Sequence, residues 1–164
     1  MKAELRRRLR RVRALVLDVD GVLTDGGMYY GAAGQELKRF DAKDGMGLRL
    51  VQEAGIAVAF ITAEKNEIVL RRAEKVKVRD VFAGVDDKLA AFTSFLASRG
   101  IAPAEAAYMG DDVNDLPPMG RAGLALAPAD AVPAVRKAAH WVASLPGGHG
   151  AVREACDALL SARA

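Results

Sequence analysis

The sequence predicts an α/β fold, a doubly wound parallel sheet with helices on both faces. Short apolar runs with the length of buried strands recur along the chain, as in Leu15-Val16-Leu17 and 57–61. Helical patterns alternate with these runs, and several strands end in acidic or hydroxyl residues, at the edge where such sheets bind ligands. The 164 residues suit a single domain over 1–164.

The chain begins with a basic arm. Residues 1–13 hold seven basic side chains against Glu4 alone. The arm lacks interleaved aromatic residues, so we expect a solvated or partner-facing helix and no nucleic-acid partner. No apolar run approaches the roughly 20 residues that span a bilayer. We therefore expect no membrane partner, and the single Cys156 favours a cytoplasmic location.

The first strand ends in two acidic residues. Asp18 and Asp20 are two positions apart, so in extended backbone both carboxylates leave on the same side. Crowded carboxylates are costly unless a cation or a proton is shared between them. Gly21 then permits a tight turn. A plain acidic loop has the same local sequence, and only partners at later strand ends distinguish the two interpretations.

A hairpin and two βα units are predicted next. β-prone residues flank Gly31-Ala32-Ala33-Gly34, which predicts a hairpin over 28–40. Asp44-Gly45 opens a helical pattern that closes at Gly55. The strand at 57–61 ends at Thr62, and Asn66 is a candidate cap for the following helix.

The remaining chain continues the alternation. Its predicted elements are a strand at 81–82, a helix from Lys88 to Gly100, a strand at 106–109, a short helix to Ala122, strands at 124–126 and 140–143, a helix at 132–137, and a glycine-rich turn with a last helix over 146–164. The strand at 106–109 runs into Gly110-Asp111-Asp112-Val113-Asn114-Asp115. The sheet should therefore gather acidic residues from distant parts of the chain.

These strand ends suit phosphoryl transfer. Oxygen ligands from Asp18 and Asp111, with the Asp20 backbone carbonyl, satisfy the preference of Mg²⁺ for hard donors. The Thr62 hydroxyl and the Lys88 ammonium are suited to hold phosphate oxygens. Each signal alone is weak, but together and in this order they predict a magnesium-dependent site.

The order Asp-x-Asp-Gly, strand-Thr, Lys, Gly-Asp-x-x-x-Asp resembles the haloacid dehalogenase superfamily of phosphotransferases. The resemblance implies that Asp18 is the nucleophile, which forms an aspartyl-phosphate, and that Asp20 is the acid and base. It also implies that Asp115 orients Lys88 or a metal-bound water. The chain leaves no room for a cap domain, so the site needs walls from a neighbour, and the protruding hairpin 28–40 is suited to pack against its own copies.

Further segments resemble the tetrameric capless phosphatases of 2-keto-3-deoxy sugar acids, typified by the octulosonate 8-phosphate enzymes. These segments are Lys43-Asp44-Gly45-Met46-Gly47 and the tail 147–154. The resemblance implies a homotetramer, a sugar acid phosphate as substrate, and a polar contact from Arg153 or His149 to the chain's own or a neighbouring site. For His149, an ordinary helix start is an equal alternative.

One departure concerns the substrate. The octulosonate enzymes typically read Thr-Gly-Arg after the second strand, whereas this chain reads Thr62-Ala63-Glu64. With Glu64 and Lys75 it looks more like the group acting on 2-keto-3-deoxy-D-glycero-D-galacto-nononate 9-phosphate. Glu64 is then a hydroxyl acceptor and Lys75 its partner and a contact for the substrate carboxylate. The alternative is an exposed ion pair of little value.

Two interpretations from other classes stay open at this level. One is a non-hydrolytic regulatory or binding module that accepts phosphate on Asp18, against which Asp20 argues as a separate acid and base. The other is an oligomeric nucleic-acid binder that uses the arginines of residues 1–13.

Overall fold

The computed structural model describes residues 3–163, apart from the Glu36 side chain. The elements in chain order are α1 (Ala3–Arg11), β1 (Ala14–Leu17), β2 (Tyr29–Gly31), β3 (Gly34–Leu37), α2 (Ala42–Glu53), β4 (Ala57–Thr62), α3 (Glu67–Lys75), β5 (Asp80–Ala83), α4 (Lys88–Arg99), β6 (Ala106–Met109), α5 (Leu116–Arg121), β7 (Leu124–Ala127), α6 (Pro133–Ala138), β8 (Trp141–Val142) and α7 (Ala151–Arg163). Single turns of 3₁₀ helix lie at Pro103–Glu105 and Val113–Asp115.

Six strands form one sheet in the order β5-β4-β1-β6-β7-β8, and every pair in it is parallel. The first strand of the chain, β1, lies between β4 and β6, so the winding direction reverses beside it. The carboxyl ends of these three strands meet at the middle of one edge, which is where doubly wound sheets bind ligands. The predicted fold class is confirmed.

Helices cover both faces of the sheet, because the strand period of two sends alternate side chains to opposite sides. Leu15 and Leu17 pack in one core with residues of α1, α2, α3 and α7. Ala14 and Val16 pack in the other with residues of α4, α5 and α6. All four residues of β1 are buried, so Asp18 is held at the end of a strand that is fixed on both faces.

Side-chain caps fix the helix starts. Asn66 and Asp87 accept hydrogen bonds from backbone N–H groups in the first turns of α3 and α4. The prediction that α2 opens at Asp44 is wrong. Asp41 accepts from the N–H groups of Lys43 and Asp44, so the helix begins at Ala42 and Asp44 lies buried inside it.

The hairpin of β2 and β3 is present as predicted, and a bridge between Thr24 and Phe40 extends it at its base. Its outward side chains are exposed, with Tyr30 at 69% and Leu37 at 62%. Between β1 and β4 the chain builds only this hairpin and α2, and between β4 and β6 only sheet and flanking helices, so residues 3–163 contain no inserted cap.

The basic arm forms helix α1, which belongs to the packed fold. Leu9 is buried, Arg8 donates to the Gly123 carbonyl, and Arg10 donates to the Ala162 carbonyl. The expectation of a helix was right, but one face of it is held by the domain and is not free. Among residues 3–163, no helix is both long enough and apolar enough to cross a membrane.

Candidate active site

The structure brings six of the predicted site residues to one pocket at the carboxyl edge of the sheet. The pocket measures about 250 Å³. Its lining comprises Asp18, Asp20, Gly21, Gly26, Met28, Thr62, Ala63, Glu64, Lys88, Asp111, Asp112 and Asn114. Thr62 is buried at the end of β4, and its Oγ1 accepts from the Glu64 N–H at 3.1 Å, which leaves its O–H free to donate to a ligand.

A buried ion network forms the floor of the pocket. Lys88 Nζ lies 2.8 Å from Asp18 Oδ2 and 2.8 Å from Asp115 Oδ1. The Lys88 side chain is 3% exposed and that of Asp115 is fully buried. The Val19 N–H donates to Asp18 Oδ1 at 2.7 Å. Both Asp18 oxygens are therefore held by donors on the side away from solvent.

Asp115 is fixed by four donors. The Tyr108 hydroxyl donates to Oδ1 at 2.9 Å, alongside Lys88, and the N–H groups of Asp111 and Asp112 reach Oδ2 at 3.0 and 3.4 Å. Of the two roles predicted for Asp115, this geometry supports the orientation of Lys88. Sequence reasoning missed Tyr108, although a tyrosine in an apolar buried strand implies a partner for its hydroxyl.

Two carboxyl groups of the site, those of Asp18 and Asp111, have a raised pKa. Burial raises the pKa of Asp18 well above its usual range, with a further increase from Asp115, against the opposing effect of Lys88. Burial, and then Asp115, raise the pKa of Asp111 to about 7. Burial disfavours the charged form of Lys88, but Asp18 and Asp115 more than offset this and its pKa is raised. The negative charge of this site calls for a further cation.

The donor set fits Mg²⁺. Carboxylate oxygens of Asp18, Asp111 and Asp115 lie within 4.8 Å of one another. Because Asp115 already accepts four hydrogen bonds, Asp18 and Asp111 are the carboxylates available to a metal. Asp111 Oδ1 is buried and has no hydrogen-bond partner among the described residues, as expected for an oxygen that binds a cation. Hard carboxylate oxygens are what Mg²⁺ prefers.

The turn after Asp20 is tight because glycine occupies it. Gly21 has a φ of +83°, and a Cβ there would lie 2.0 Å from Asp111 Oδ2. Thr24 Oγ1 accepts from the N–H groups of Gly21 and Gly26, each at 3.2 Å. On the other side the tail packs against the same turn, since a Cβ at Gly147 would lie 1.8 Å from the Gly21 carbonyl oxygen.

Asp20 has a partner that the sequence did not predict. The Lys38 ammonium, from the residue directly after β3, pairs with Asp20 Oδ1. None of the Lys38 side chain is exposed. The other oxygen, Asp20 Oδ2, is buried with no hydrogen-bond partner among the residues described. No local pattern could have indicated this contact, because it depends on how the hairpin folds back over the turn.

Of the three residues predicted to contact the substrate, one lies at the pocket and two do not. Glu64 lies exposed on the pocket rim. Lys75 does not reach the pocket and forms no ion pair with Glu64, because it is the last residue of α3, roughly 13 Å along the helix axis from its Asn66 cap. Arg153 donates to Asp157 at 2.8 Å, and its side chain packs beside Gly47, away from the pocket.

His149 also lies outside the pocket lining. Its Nδ1 is 2.8 Å from the Gly147 carbonyl oxygen and its Nε2 is 3.3 Å from an Arg39 guanidinium nitrogen. Within one subunit, His149 therefore has a structural position in the tail turn.

The site combines a strand-end pair of aspartates, a buried lysine–aspartate pair and a further carboxylate, and it lies at the switch point of a doubly wound sheet. These features define a phosphoryl-transfer enzyme. Comparison with known proteins then identifies the family. Residues 62–153 match the family model described as haloacid dehalogenase-like hydrolase. The 3-deoxy-D-manno-octulosonate 8-phosphate phosphatase of Escherichia coli strain K12 is 42% identical over 163 residues, which cover 99% of this chain and 87% of that protein.

Solved structures agree. The crystal structure of 3-deoxy-D-manno-octulosonate 8-phosphate phosphatase from Yersinia pestis has a TM-score of 0.97 at 40% identity, covering 99% of this chain and 88% of that one. The enzyme of that name from Moraxella catarrhalis, in complex with magnesium ion, phosphate ion and a KDO molecule, has a TM-score of 0.96 at 33% identity, with coverages of 99% and 94%. This chain belongs to the haloacid dehalogenase-like hydrolases, in the family of these phosphatases.

Family membership confirms two predictions, that the chain is a phosphatase and that Mg²⁺ is its cofactor. The preference for a nononate ester finds no support, since the relatives named here carry the octulosonate name. The alternatives of a non-hydrolytic module and of a nucleic-acid binder find none either.

Proposed function

We propose that this chain hydrolyses the phosphate monoester of a 2-keto-3-deoxy sugar acid, with 3-deoxy-D-manno-octulosonate 8-phosphate as the first candidate substrate. The observation that carries the proposal is the buried Asp18–Lys88–Asp115 network at the floor of a pocket of about 250 Å³. The names of the relatives support the substrate class.

In the first half of the proposed reaction, an Asp18 carboxylate oxygen attacks phosphorus and the bond to the ester oxygen breaks. Asp20 gives its proton to the leaving alkoxide, so the sugar acid departs as an alcohol. Lys88 and the Thr62 hydroxyl hold phosphate oxygens in place. Asp18, Asp111 and the Asp20 backbone carbonyl would hold Mg²⁺, which would supply charge neutralisation and Lewis acidity at the phosphoryl group.

In the second half, water attacks the phosphorus of the aspartyl-phosphate. Asp20, now a carboxylate, takes the proton from that water, and the bond between phosphorus and Asp18 breaks. Phosphate leaves, Asp18 is again a carboxylate and Asp20 again holds a proton. Asp115 keeps Lys88 in position throughout, because its own oxygens are fixed by Tyr108 and the backbone.

The direct test replaces the nucleophile. Asp18→Asn keeps the shape of the side chain and removes its charge, so turnover of the octulosonate ester with Mg²⁺ should vanish while the circular dichroism spectrum stays unchanged. Asp86→Asn, an exposed aspartate two residues before Lys88, is the matched control and should keep full kcat/KM. Substantial turnover by Asp18→Asn would contradict the mechanism.

The nononate 9-phosphate remains a second candidate because Glu64 lies on the rim where the octulosonate pattern has arginine. The discriminating measurement is kcat/KM for both esters on the wild type, Glu64→Arg and Lys75→Ala. A wild-type preference for the nononate ester that reverses in Glu64→Arg would favour this candidate. An octulosonate preference that neither change alters would exclude a role for both residues.

We also propose a homotetramer in which a neighbour completes the site. The outer wall of the pocket consists of exposed side chains, Met28, Glu64 and Asn114 among them, and the hairpin presents exposed apolar residues to solvent. In this tetramer, Lys75 and Arg153 are available to contact a neighbouring subunit. Tyr30→Asp should give a smaller species by light scattering with a lower kcat/KM, whereas undiminished kcat/KM in that species would show that each subunit suffices.

A cytoplasmic location completes the proposal. Its support is the single cysteine, Cys156, which is buried and free. Burial raises the pKa of its thiol to about 12, so it is unreactive in the folded protein.

A further inference from the structure

The burial of the Lys38 side chain is energetically unfavourable by itself. It directly follows β3 at the foot of the hairpin, its ammonium pairs with Asp20 Oδ1, and none of its side chain is exposed. A lysine without solvent contact is rare in proteins unless it is paired, because desolvation of an ammonium is unfavourable. From the foot of the hairpin, Lys38 thus reaches Asp20, one of the two strand-end aspartates.

The contact makes the two oxygens of Asp20 unequal. Oδ1 is bound by Lys38, whereas Oδ2 is buried with no hydrogen-bond partner among the residues described. A carboxyl group held at one oxygen cannot rotate freely about its Cβ–Cγ bond. The second oxygen is thereby fixed in direction, which is what a proton donor aimed at a leaving group needs.

We propose that Lys38 is the positioning residue for Asp20: by holding Oδ1 it fixes the orientation of the carboxyl group that protonates the leaving alkoxide. The inference rests on the acid role proposed above for Asp20. A carboxyl group that carries its proton on one oxygen still accepts from the ammonium at the other, so the contact can persist through both half-reactions. Through Lys38, the seating of the hairpin controls the geometry of the acid, since the Thr24–Phe40 bridge fixes the foot of the hairpin beside the same turn.

Two other roles of Lys38 make different predictions. If it anchored the substrate carboxylate, its loss would raise KM only for esters that have one. If it merely held the hairpin, its loss would lower the turnover of every ester alike. A positioning role predicts a loss in the rate of leaving-group release that depends on how much the leaving group needs a proton.

The experiment compares three esters on Lys38→Met: the octulosonate 8-phosphate, glycerol phosphate, which has no carboxylate, and p-nitrophenyl phosphate, whose leaving group needs no proton. Release of the leaving group is followed in a single turnover with enzyme in excess, because the second half-reaction needs Asp20 as a base whatever the ester. We expect this rate to fall roughly 100-fold on both alkyl esters, within the range of general acid catalysis, and less than about 5-fold on the nitrophenyl ester. KM should change little. Lys38→Arg should recover part of the loss, and exposed Lys43→Met should behave as wild type.

Asp20→Asn on the same esters separates this inference from the function on which it rests. If Asp20→Asn discriminates between alkyl and nitrophenyl esters in the single-turnover rate but Lys38→Met lowers that rate equally on all three, only the role of Lys38 is wrong. If Asp20→Asn itself lowers the single-turnover rate equally on all three, the acid role of Asp20 is wrong and so is the inference. The double variant should lose no more than Asp20→Asn alone. Lys38→Gln, too short to reach Asp20, should repeat the selective loss if Lys38→Met does not fold.

Discussion

The floor and the rim of the pocket are built on different principles. On the floor, Asp18, Lys88 and Asp115 are buried, and Lys88 forms ion pairs of 2.8 Å with both aspartates. On the rim, Glu64 is exposed, while the other predicted substrate contacts, Lys75 and Arg153, lie outside the pocket. The difference indicates that the residues of the floor meet within one chain, whereas in the proposed tetramer selection among sugar acids would depend on surfaces that subunits share.

The largest effect is expected when Lys88, the buried cation of the floor, is replaced. Lys88→Met leaves Asp18 and Asp115 without their shared partner in a buried site, which should lower the free energy of unfolding by about 3–5 kcal/mol and abolish turnover. Denaturant unfolding followed by circular dichroism measures the first effect. Exposed Lys43→Met is the matched control, and equal stability of the two variants would show that the floor network contributes little.

Mg²⁺ and pH test whether the floor needs a further cation. The pKa of Asp111 is about 7 in the folded protein, against 3.8 for an ordinary aspartate, so the folded state binds the proton more tightly. The metal-free protein should therefore lose stability as pH rises from about 4 to about 7. Asp111→Asn should reduce that slope, as read from denaturation midpoints in EDTA.

Added Mg²⁺ should raise the Tm of the wild type most at pH 7 and above, where Asp111 is ionised, and should raise that of Asp111→Asn much less. A metal-independent Tm would contradict the assigned ligands.

A smaller effect on stability and turnover is expected at Tyr108, which contacts Asp115 from beneath the floor. Tyr108→Phe deletes the hydroxyl that donates to Asp115 Oδ1 and leaves the ring in its packing against Phe92. We expect a loss of about 1–2 kcal/mol in the free energy of unfolding, typical of a buried hydrogen bond to a charged group, with kcat reduced and KM unchanged. A change in KM alone would place Tyr108 outside the positioning of Lys88.

The predicted substrate contacts that lie outside the pocket should be the most tolerant of substitution. Arg153→Ala removes a partly exposed ion pair with Asp157 one helical turn away, which should cost less than about 0.5 kcal/mol in the free energy of unfolding. Its effect on kcat/KM is the informative quantity. A marked loss there without a loss of stability would indicate that Arg153 acts in a neighbouring site.

A related division separates the site residues that could be predicted from the sequence from those that could not. Asp18, Asp20, Thr62, Lys88 and Asp111 were predictable because each lies at a strand end or helix start, and parallel topology alone brings such ends together. Lys38 and Tyr108 were not, because their contacts depend on the fold of a hairpin and on the inward direction of one strand residue. The predicted ion pair between Glu64 and Lys75 does not form within the subunit, because Glu64 lies before the start of α3 and Lys75 at its end.

The place of β1 in the sheet has a consequence for synthesis. Asp18 and Asp20 are made early, on a strand whose two neighbours, β4 and β6, come much later in the chain. Until β6 leaves the ribosome, the nascent chain has its nucleophile but lacks Asp111 and Asp115, and β1 has an open edge. The tail that packs on the Gly21 turn comes last of all. A chain that ends before Asp115 therefore lacks part of the floor of the site.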